Sequence, residues 1–453
     1  MDKISLVRIL IIGIAGSLTS VVILGYEGWT AKEYLREQNR FADILYDQFR
    51  EKRNSKVSAP ESEPLPSEVL EEEGEPAPQP SPMPEPVVVP EPELLPKFIN
   101  ETGFPLTIPD GFKISLFNKE SLGPIRFMAF SPDGILFVSM PSPTGLYSGL
   151  KSGGKIFALP DENKDGKADE VKTVLAGLSD LPHGIAFYNN YLYIAEEDKI
   201  ARYKYLNNGE TGEREVIVSD IAESGNHVSR TIGFSASGKM YVSVGSSCNV
   251  CEEQDLRRAA ILEYNPDGSG FRIFATGLRN AVGFVFHPIT GEIWATENGR
   301  DDLGDNLPPD EINIIREGQN YGWPLCYGKN VLDSIYHKDD HVHIRAHCTE
   351  PFEFPSVHDI QAHSATLGLR FFEGDLLVAY HGSWDRSEPT GYKVVRLDVE
   401  GNKIIGEQDF VSGWLRPDGS KLGRPVDVIA DSIGAIYISD DKTGLIYRMA
   451  KIE

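Results

Sequence analysis

Between Asp161 and Asp169 the chain reads DENKDGKAD, with oxygen-bearing groups at alternate positions. Asp161, Asn163, Asp165, the Lys167 carbonyl and Asp169 fall at the spacing that wraps oxygens around Ca2+, and Gly166 permits the sharp turn such a loop needs. Position 12 of the loop is Lys172, so the bidentate glutamate of an EF-hand is missing. A structural calcium remote from any chemistry is the favoured reading, and a polar hairpin turn is the alternative. A second chemical signal is GSSCNVCEE at 245–253, where Cys248 and Cys251 stand in a C-x-x-C spacing. Such a pair can be a redox dithiol, half of a zinc site or a short staple.

Basic side chains form the third signal. His183 and His227 precede short apolar segments, His381 follows one, and Arg126, Arg230, Arg279, Arg386 and Arg424 recur at similar places. In a chain with 68 acidic and 44 basic residues, such a convergence points to an anionic ligand on one face. Arginine forks suit carboxylates in particular.

These residues hang on an internal repeat. RFMAFSPDGILFVSM (126–140), HGIAFYNNYLYIAEE (183–197) and TIGFSASGKMYVSVG (231–245) share one pattern with VGFVFHPITGEIWATE (282–297), LGLRFFEGDLLVAYHG (367–382) and VDVIADSIGAIYISDD (426–441). Each copy reads as a hairpin: a short buried strand, a turn, then a strand rich in β-branched and aromatic residues. Hairpins of this kind bury their faces by packing around an axis, so the expected fold is all-β, a six-bladed β-propeller. A two-sheet sandwich would not explain the recurring unit. The longest gap, between the fourth and fifth copies, must carry a large loop excursion, a natural place for a binding site.

The first hundred residues have a different character. Ile9–Tyr26 is an uncharged apolar run behind Lys3 and Arg8, long enough to span a bilayer core. No good small-x-small cleavage site follows, so a signal anchor at 1–27 is favoured over a cleaved signal, with the remainder exported. Residues 28–54 carry helical periodicity and read as a juxtamembrane helix. The stretch 59–97 holds twelve prolines and ten glutamates against one lysine, so 55–98 reads as an extended, disordered stalk, with the propeller at 99–453. The expected location is the cell membrane, single-pass, with the propeller on the extracellular or periplasmic side. A net charge of −24 argues against a nucleic-acid partner.

The segment 277–328, together with LPHGIAF (181–187), GNHVSR (225–230), GSSCNVCEE, GDNLPPDEIN (304–313), NYGWPLCYG (320–328) and HGSWDRSEPTGYKVVR (381–396), closely resembles the glucose/sorbosone dehydrogenase family. These are propeller enzymes that use pyrroloquinoline quinone (PQQ) and Ca2+, and the likeness runs in order over roughly residues 100–450. The branch carrying HGSW and the C-x-x-C, that of the sorbosone-dehydrogenase-like proteins, is the most similar. The resemblance implies a quinoprotein that oxidises a small-molecule sugar, an aldose or a sorbosone-type sugar, and passes electrons to an unidentified acceptor. It implies His227 as the catalytic base and cofactor or substrate contacts at Arg279 and Asn280. Looser cationic contacts to PQQ follow at His381 and Arg424, and the converging basic cluster read above adds Arg126, His183, Arg230 and Arg386 as candidate cofactor contacts. It also implies a cofactor calcium held partly by carbonyls near Gly304 and Asp305.

Two departures stand out. The glucose-oxidising branch orients its histidine with an aspartate where this chain reads Gly245-Ser246-Ser247-Cys248. Either another acid supplies that orientation or His227 is held differently. The second arginine of the last-blade motif is absent, where this chain has Arg424-Pro425-Val426-Asp427. A non-catalytic stalked binding propeller and a calcium-dependent lactonase are therefore the alternatives. The lactonase is disfavoured because its channel ligands are acidic whereas these positions are basic.

Glu252 after Cys251 excludes a covalent haem motif, and no second C-x-x-C completes a zinc ribbon. Cys248–Cys251 is therefore read as a tight disulfide at the rim of the cofactor pocket. Cys326 and Cys348 flank an excursion holding His337, His341, His343 and His347. A disulfide closing that loop is favoured over a zinc site.

Overall fold

The computed structural model describes residues 97–146, 151–179, 181–336 and 347–452. The expected anchor and juxtamembrane helix, and all but the end of the expected stalk, lie outside the described residues, as do His337, His341 and His343. Among the described residues every regular element is a strand, and no helix is long and apolar enough to cross a membrane.

Six antiparallel sheets are arranged as blades. The first runs Met128–Phe130, Leu136–Met140, Gly154–Leu159 and Lys172–Leu178, and the second, third and fifth repeat this simple up-and-down order. The fourth blade takes its outer strand, His358–Ile360, from beyond an excursion that carries the small hairpin Cys326–Tyr327 and Val331–Leu332. The sixth is closed by both chain ends. Phe112–Leu116 pairs antiparallel with Leu445–Lys451, and Phe98–Asn100 adds a parallel edge to it. Sealing the ring with a strand that precedes the first repeat ties the ends together.

Burial explains the sequence pattern. The second strand of a blade lies between neighbouring blades, so Leu136–Met140, Met240–Val244, Ile293–Glu297 and Ile436–Asp440 are buried at every position. The outermost strands, such as Glu210–Val218, meet solvent and carry charge. Tight turns follow from local chemistry: Asn189 and Asn190 both take positive φ, as a two-residue hairpin of the I′ kind demands.

Hydroxyls on second strands pin three of the blades to the next. Thr296 Oγ1 donates to the Leu367 carbonyl at 2.8 Å and Ser439 Oγ to the Arg126 carbonyl at 2.6 Å, while Ser139 Oγ donates to the carbonyl of His183. Each bond contributes about 1 kcal/mol net. Each also fixes the backbone at the point where the chain enters an inner strand.

The calcium-type loop, Asp161 to Asp169, joins the third and fourth strands of the first blade. Connections of that class share the face opposite the loops that join second to third strands. Asp161 accepts the amides of Asp165 and Gly166 at 3.1 and 3.0 Å, and Asp165 accepts that of Lys167 at 2.9 Å. Asp169 takes the Glu162 amide at 2.7 Å and Asn163 Nδ2 at 2.9 Å.

Candidate functional site

The loops that enter each blade and those that join its second and third strands share one face. There they enclose a cavity of about 770 Å3 lined by residues of five blades. Arg126, His227, Arg279, Asn280, His381 and Arg424 all line it.

One wall is cationic. Arg126, His381 and Arg424 meet there around the Asp441 carboxylate, and Lys442 also lies on the lining. Arg126 Nη1 stands 2.7 Å and His381 Nε2 2.9 Å from Asp441 Oδ2. Although burial alone would raise it, the Asp441 carboxyl is held well below the usual range by His381 and Arg126. His381 is pushed down to about 4 by burial, with Asp441 opposing the shift. Arg424 Nη2 donates to the Gly382 carbonyl at 3.2 Å, and its guanidinium lies over the Tyr392 ring.

His183 stands behind this wall and does not line the cavity. It is fully buried, and Arg126 Nε donates to its Nε2 at 3.4 Å. Its Nδ1 therefore carries the proton and donates to the Arg230 carbonyl at 3.1 Å. Burial, then the Arg126 charge, holds this imidazole neutral. Arg230, fully buried, is also outside the lining and holds the backbone together. Its guanidinium donates to the carbonyls of His227, Ser229 and Ala222 at 3.0, 2.7 and 2.6 Å. Both residues position others.

His227 sits across the cavity, 7% exposed, with Nδ1 at 3.0 Å from the Ser246 carbonyl and 2.9 Å from its hydroxyl. Burial first, and the nearby Arg279 charge second, push its pKa down to about 3. Arg279 spends its donors on the protein: on the Asn249 carbonyl and side chain at 2.8 and 2.7 Å and on the Gly299 carbonyl at 2.9 Å. Its distance to Asp301 Oδ2 is 3.3 Å. Asn280 is fixed through its amide, which donates to Glu297 Oε1 at 3.0 Å.

The edge beyond Arg279 is acidic. Asp301, His363 and Asp385 each bring one ligand atom within 4.8 Å of the others, and Asp301 and His363 line the cavity. Burial raises the Asp301 carboxyl, with Arg279 opposing and Asp385 adding to the shift. Gly304 and Asp305, whose carbonyls the sequence assigns to a cation, lie off the lining. The Gly304 carbonyl stands 3.0 Å from His363 Nε2, and that of Asp305 accepts the Arg386 guanidinium. Arg386 is thereby a strut of this loop and also lies off the cavity.

Seven residues of the site were not singled out from sequence: Ser246, Asp301, His363, Trp384, Asp385, Asp441 and Lys442. His363 precedes an inner strand just as His183 and His227 do, which was an available signal. Trp384 lies within the quoted HGSWDR motif and lines the cavity while 76% exposed. Both expected disulfides, Cys248–Cys251 and Cys326–Cys348, are formed.

Comparison with known proteins agrees with this architecture. The sequence pattern of the TrAA12-like family matches residues 108–451. An uncharacterized protein of Borreliella burgdorferi is 33% identical over 368 residues, spanning 76% of this chain and 90% of that one. The pyrroloquinoline quinone-dependent sugar dehydrogenase of Hypocrea jecorina is 25% identical over 325 residues, covering 59% of this chain and 73% of that protein. Among solved structures, the family AA12 carbohydrate-active enzyme of Trichoderma reesei superposes with a TM-score of 0.64 at 22% identity, over 78% of this chain and 99% of that one. The holo PQQ domain of Coprinopsis cinerea pyranose dehydrogenase does so with the same score at 20% identity, over 78% and 100%. At these identities the structural likeness speaks for the fold.

Proposed function

The chain belongs to the TrAA12-like family of PQQ-dependent sugar dehydrogenases, and on that premise we propose that it oxidises an aldose or sorbosone-type sugar outside the cytoplasm, with PQQ, Ca2+ and His227 as base. One observation carries the reading: a neutral, anchored His227 and a cationic wall line the same cavity.

The cavity suits the cofactor. Its volume of about 770 Å3 is that of a small-ligand site, and Arg126, Arg424 and Lys442 offer cationic donors to a flat tricarboxylate. For Ca2+ the side-chain oxygen donors gathered here are those of Asp301 and Asp385, with His363 beside them. When bound, PQQ supplies a quinone carbon that accepts a hydride.

The chain's own residues do the rest. The anomeric hydroxyl of the sugar gives its proton to His227 Nε2 as its C–H pair leaves as hydride, and a lactone C=O forms. Nδ1 is anchored on Ser246, which leaves Nε2 for the substrate. Because burial keeps the ring neutral, no proton need be lost before it acts. Arg279 and Asn280 flank the base, and the buried walls limit water. A propeller held on the extracellular or periplasmic side by a single membrane-spanning anchor would meet such a sugar outside the cytoplasm.

The test is reconstitution of the full chain with PQQ and Ca2+ and an assay of dye reduction by a panel of aldoses. Sugar-dependent turnover supports the proposal. Absence of both PQQ binding and turnover defeats it and leaves a binding propeller.

A further inference from the structure

We infer that Ser246 is the positioning residue for His227, and that the loop closed by Cys248–Cys251 holds it in place. The inference rests on the reading of His227 as the base and adds how its reactive nitrogen is set.

A main-chain carbonyl only accepts hydrogen bonds, so the 3.0 Å contact between His227 Nδ1 and the Ser246 carbonyl puts the imidazole proton on Nδ1. The Ser246 hydroxyl, 2.9 Å from the same nitrogen, must therefore also accept from it. Its own proton goes to the Cys248 carbonyl, 2.7 Å away. Two donors thus run in one direction, from the ring to the hydroxyl to the disulfide loop. The free lone pair is left on Nε2. In a neutral histidine the partner of one nitrogen decides which nitrogen is the base.

The relay is braced at every member. Ser246 is fully buried and its amide donates to the Arg279 carbonyl at 2.7 Å. Asn226, next to His227, donates its amide to the Ser247 carbonyl at 2.8 Å. Ser247 is held by Glu253 through its amide and, at 2.8 Å, its hydroxyl. Cys248 and Cys251, three residues apart, close the loop, and Asn249 between them takes Arg279 Nε on its carbonyl at 2.8 Å. Gly245 has no room for a side chain: a Cβ would lie 2.5 Å from His227 Cβ and 2.7 Å from Asn280 Oδ1. One short loop therefore seats His227, Arg279 and Asn280 together.

A serine pair differs from a carboxylate in charge. A carboxylate partner would favour the imidazolium, whereas a carbonyl and a hydroxyl orient the ring while leaving it neutral. The charged groups bearing on His227 are Arg279, Arg230 and Arg258, all cations, so the surroundings also disfavour protonation.

The tautomer can be read directly. In the full chain without PQQ, 15N chemical shifts of His227, assigned by their loss in His227→Gln, should show Nδ1 protonated and Nε2 bare at pH 7. In Ser246→Ala the main-chain carbonyl remains, so Nδ1 should stay protonated while the ring loses its hydroxyl anchor, and in the PQQ-loaded protein kcat should fall about tenfold with little change in KM, the scale of one lost orienting bond. Ser246→Asp should move the acid limb of the pH profile upward, which a merely structural serine would not do. Cys248→Ser/Cys251→Ser loosens the loop that carries both the Ser246 carbonyl and its hydroxyl, so in that variant the two tautomers should mix. An Nε2-protonated His227 in the native protein would overturn the inference, even if Ser246→Ala did not fold. Unchanged kcat in Ser246→Ala, or an unchanged tautomer in the cysteine double variant, would overturn it too. Since the tautomer is measured without PQQ, a protein that never turns over would remove the proposed reaction and leave this result standing.

Discussion

Arg126 holds Asp441 at 2.7 Å across the seam where the first blade meets the last, with their side chains 6% and 16% exposed. The same carboxylate takes His381 at 2.9 Å, so one buried anion organises the cationic wall. Removing one partner of a buried pair leaves the other charge uncompensated, at a cost of about 3–5 kcal/mol. Asp441→Asn should therefore lower the melting temperature of the cofactor-free protein. An anionic ligand can replace the lost charge, so the rise in melting temperature on adding PQQ should be larger in the variant. Thermal unfolding with and without PQQ checks both. A smaller ligand-induced rise would mean that Asp441 binds the ligand's side of the wall in some other way.

Arg424 lines the cavity on the same wall, anchored by the Gly382 carbonyl and the Tyr392 ring. A charge-assisted bond to a carboxylate is worth about 1.5–3 kcal/mol, so Arg424→Ala should weaken PQQ binding about tenfold to a hundredfold. Absorbance titration measures it. Arg230→Ala provides the contrast, since that guanidinium lies outside the lining and bonds three carbonyls of its own loop. It should lower the melting temperature in the first place.

His227 makes a prediction about pH. A base must be unprotonated to act, and burial and Arg279 push this one down to about 3 from an ordinary 6.5. At pH 5 an ordinary histidine would be about 97% protonated, whereas His227 would be about 1% protonated. The acid limb of kcat/KM should thus lie well below pH 6, and a limb near 6.5 would show that His227 is not the base. His227→Gln should lower kcat by about 10^2–10^4 while PQQ still binds.

The hairpin repeat made the propeller legible because the second strand of each blade is buried almost throughout and so is constrained in sequence. The closure was not legible. Phe112–Leu116 precedes the first repeat copy and resembles any short strand until it pairs with Leu445–Lys451. Chain position also placed the cavity's basic residues on the right rim without telling which way each side chain points. His183 and Arg126 belong to consecutive blade entries, yet Arg126 lines the cavity and His183 stands behind it. Asp441 was hidden as one of several acids in a turn. Ser246 was hidden by its neighbours, because the cysteines of GSSCNVCEE drew attention to redox and metal chemistry while the serine contacts the imidazole.

The disulfide Cys326–Cys348 spans 22 positions and closes the excursion of the fourth blade. Loop-closure reasoning gives it about 3 kcal/mol of stabilisation. Cys326→Ser/Cys348→Ser should lower the melting temperature by several degrees, about 2–4 °C per kcal/mol for a domain of a few hundred residues. His227 and the cationic wall lie on other loops, so PQQ affinity should change little. A large loss of affinity at unchanged melting temperature would place the excursion in the binding site.

Trp384 makes a prediction about the sugar. It lines the cavity with its side chain 76% exposed, between His381 of the cationic wall and Asp385 of the acidic edge. An indole left so exposed at a cavity mouth costs solvation that a ligand surface can recover, and the apolar face of a pyranose ring is such a surface. Binding of that kind is the same in the ground and transition states, so its loss raises KM and spares kcat. Trp384→Ala should raise KM about tenfold, as a loss near 1.4 kcal/mol implies, with kcat within about twofold of the parent. Trp384→Phe should restore most of the affinity because it keeps an aromatic face. A fall in kcat at constant KM would instead make the indole part of the reacting geometry.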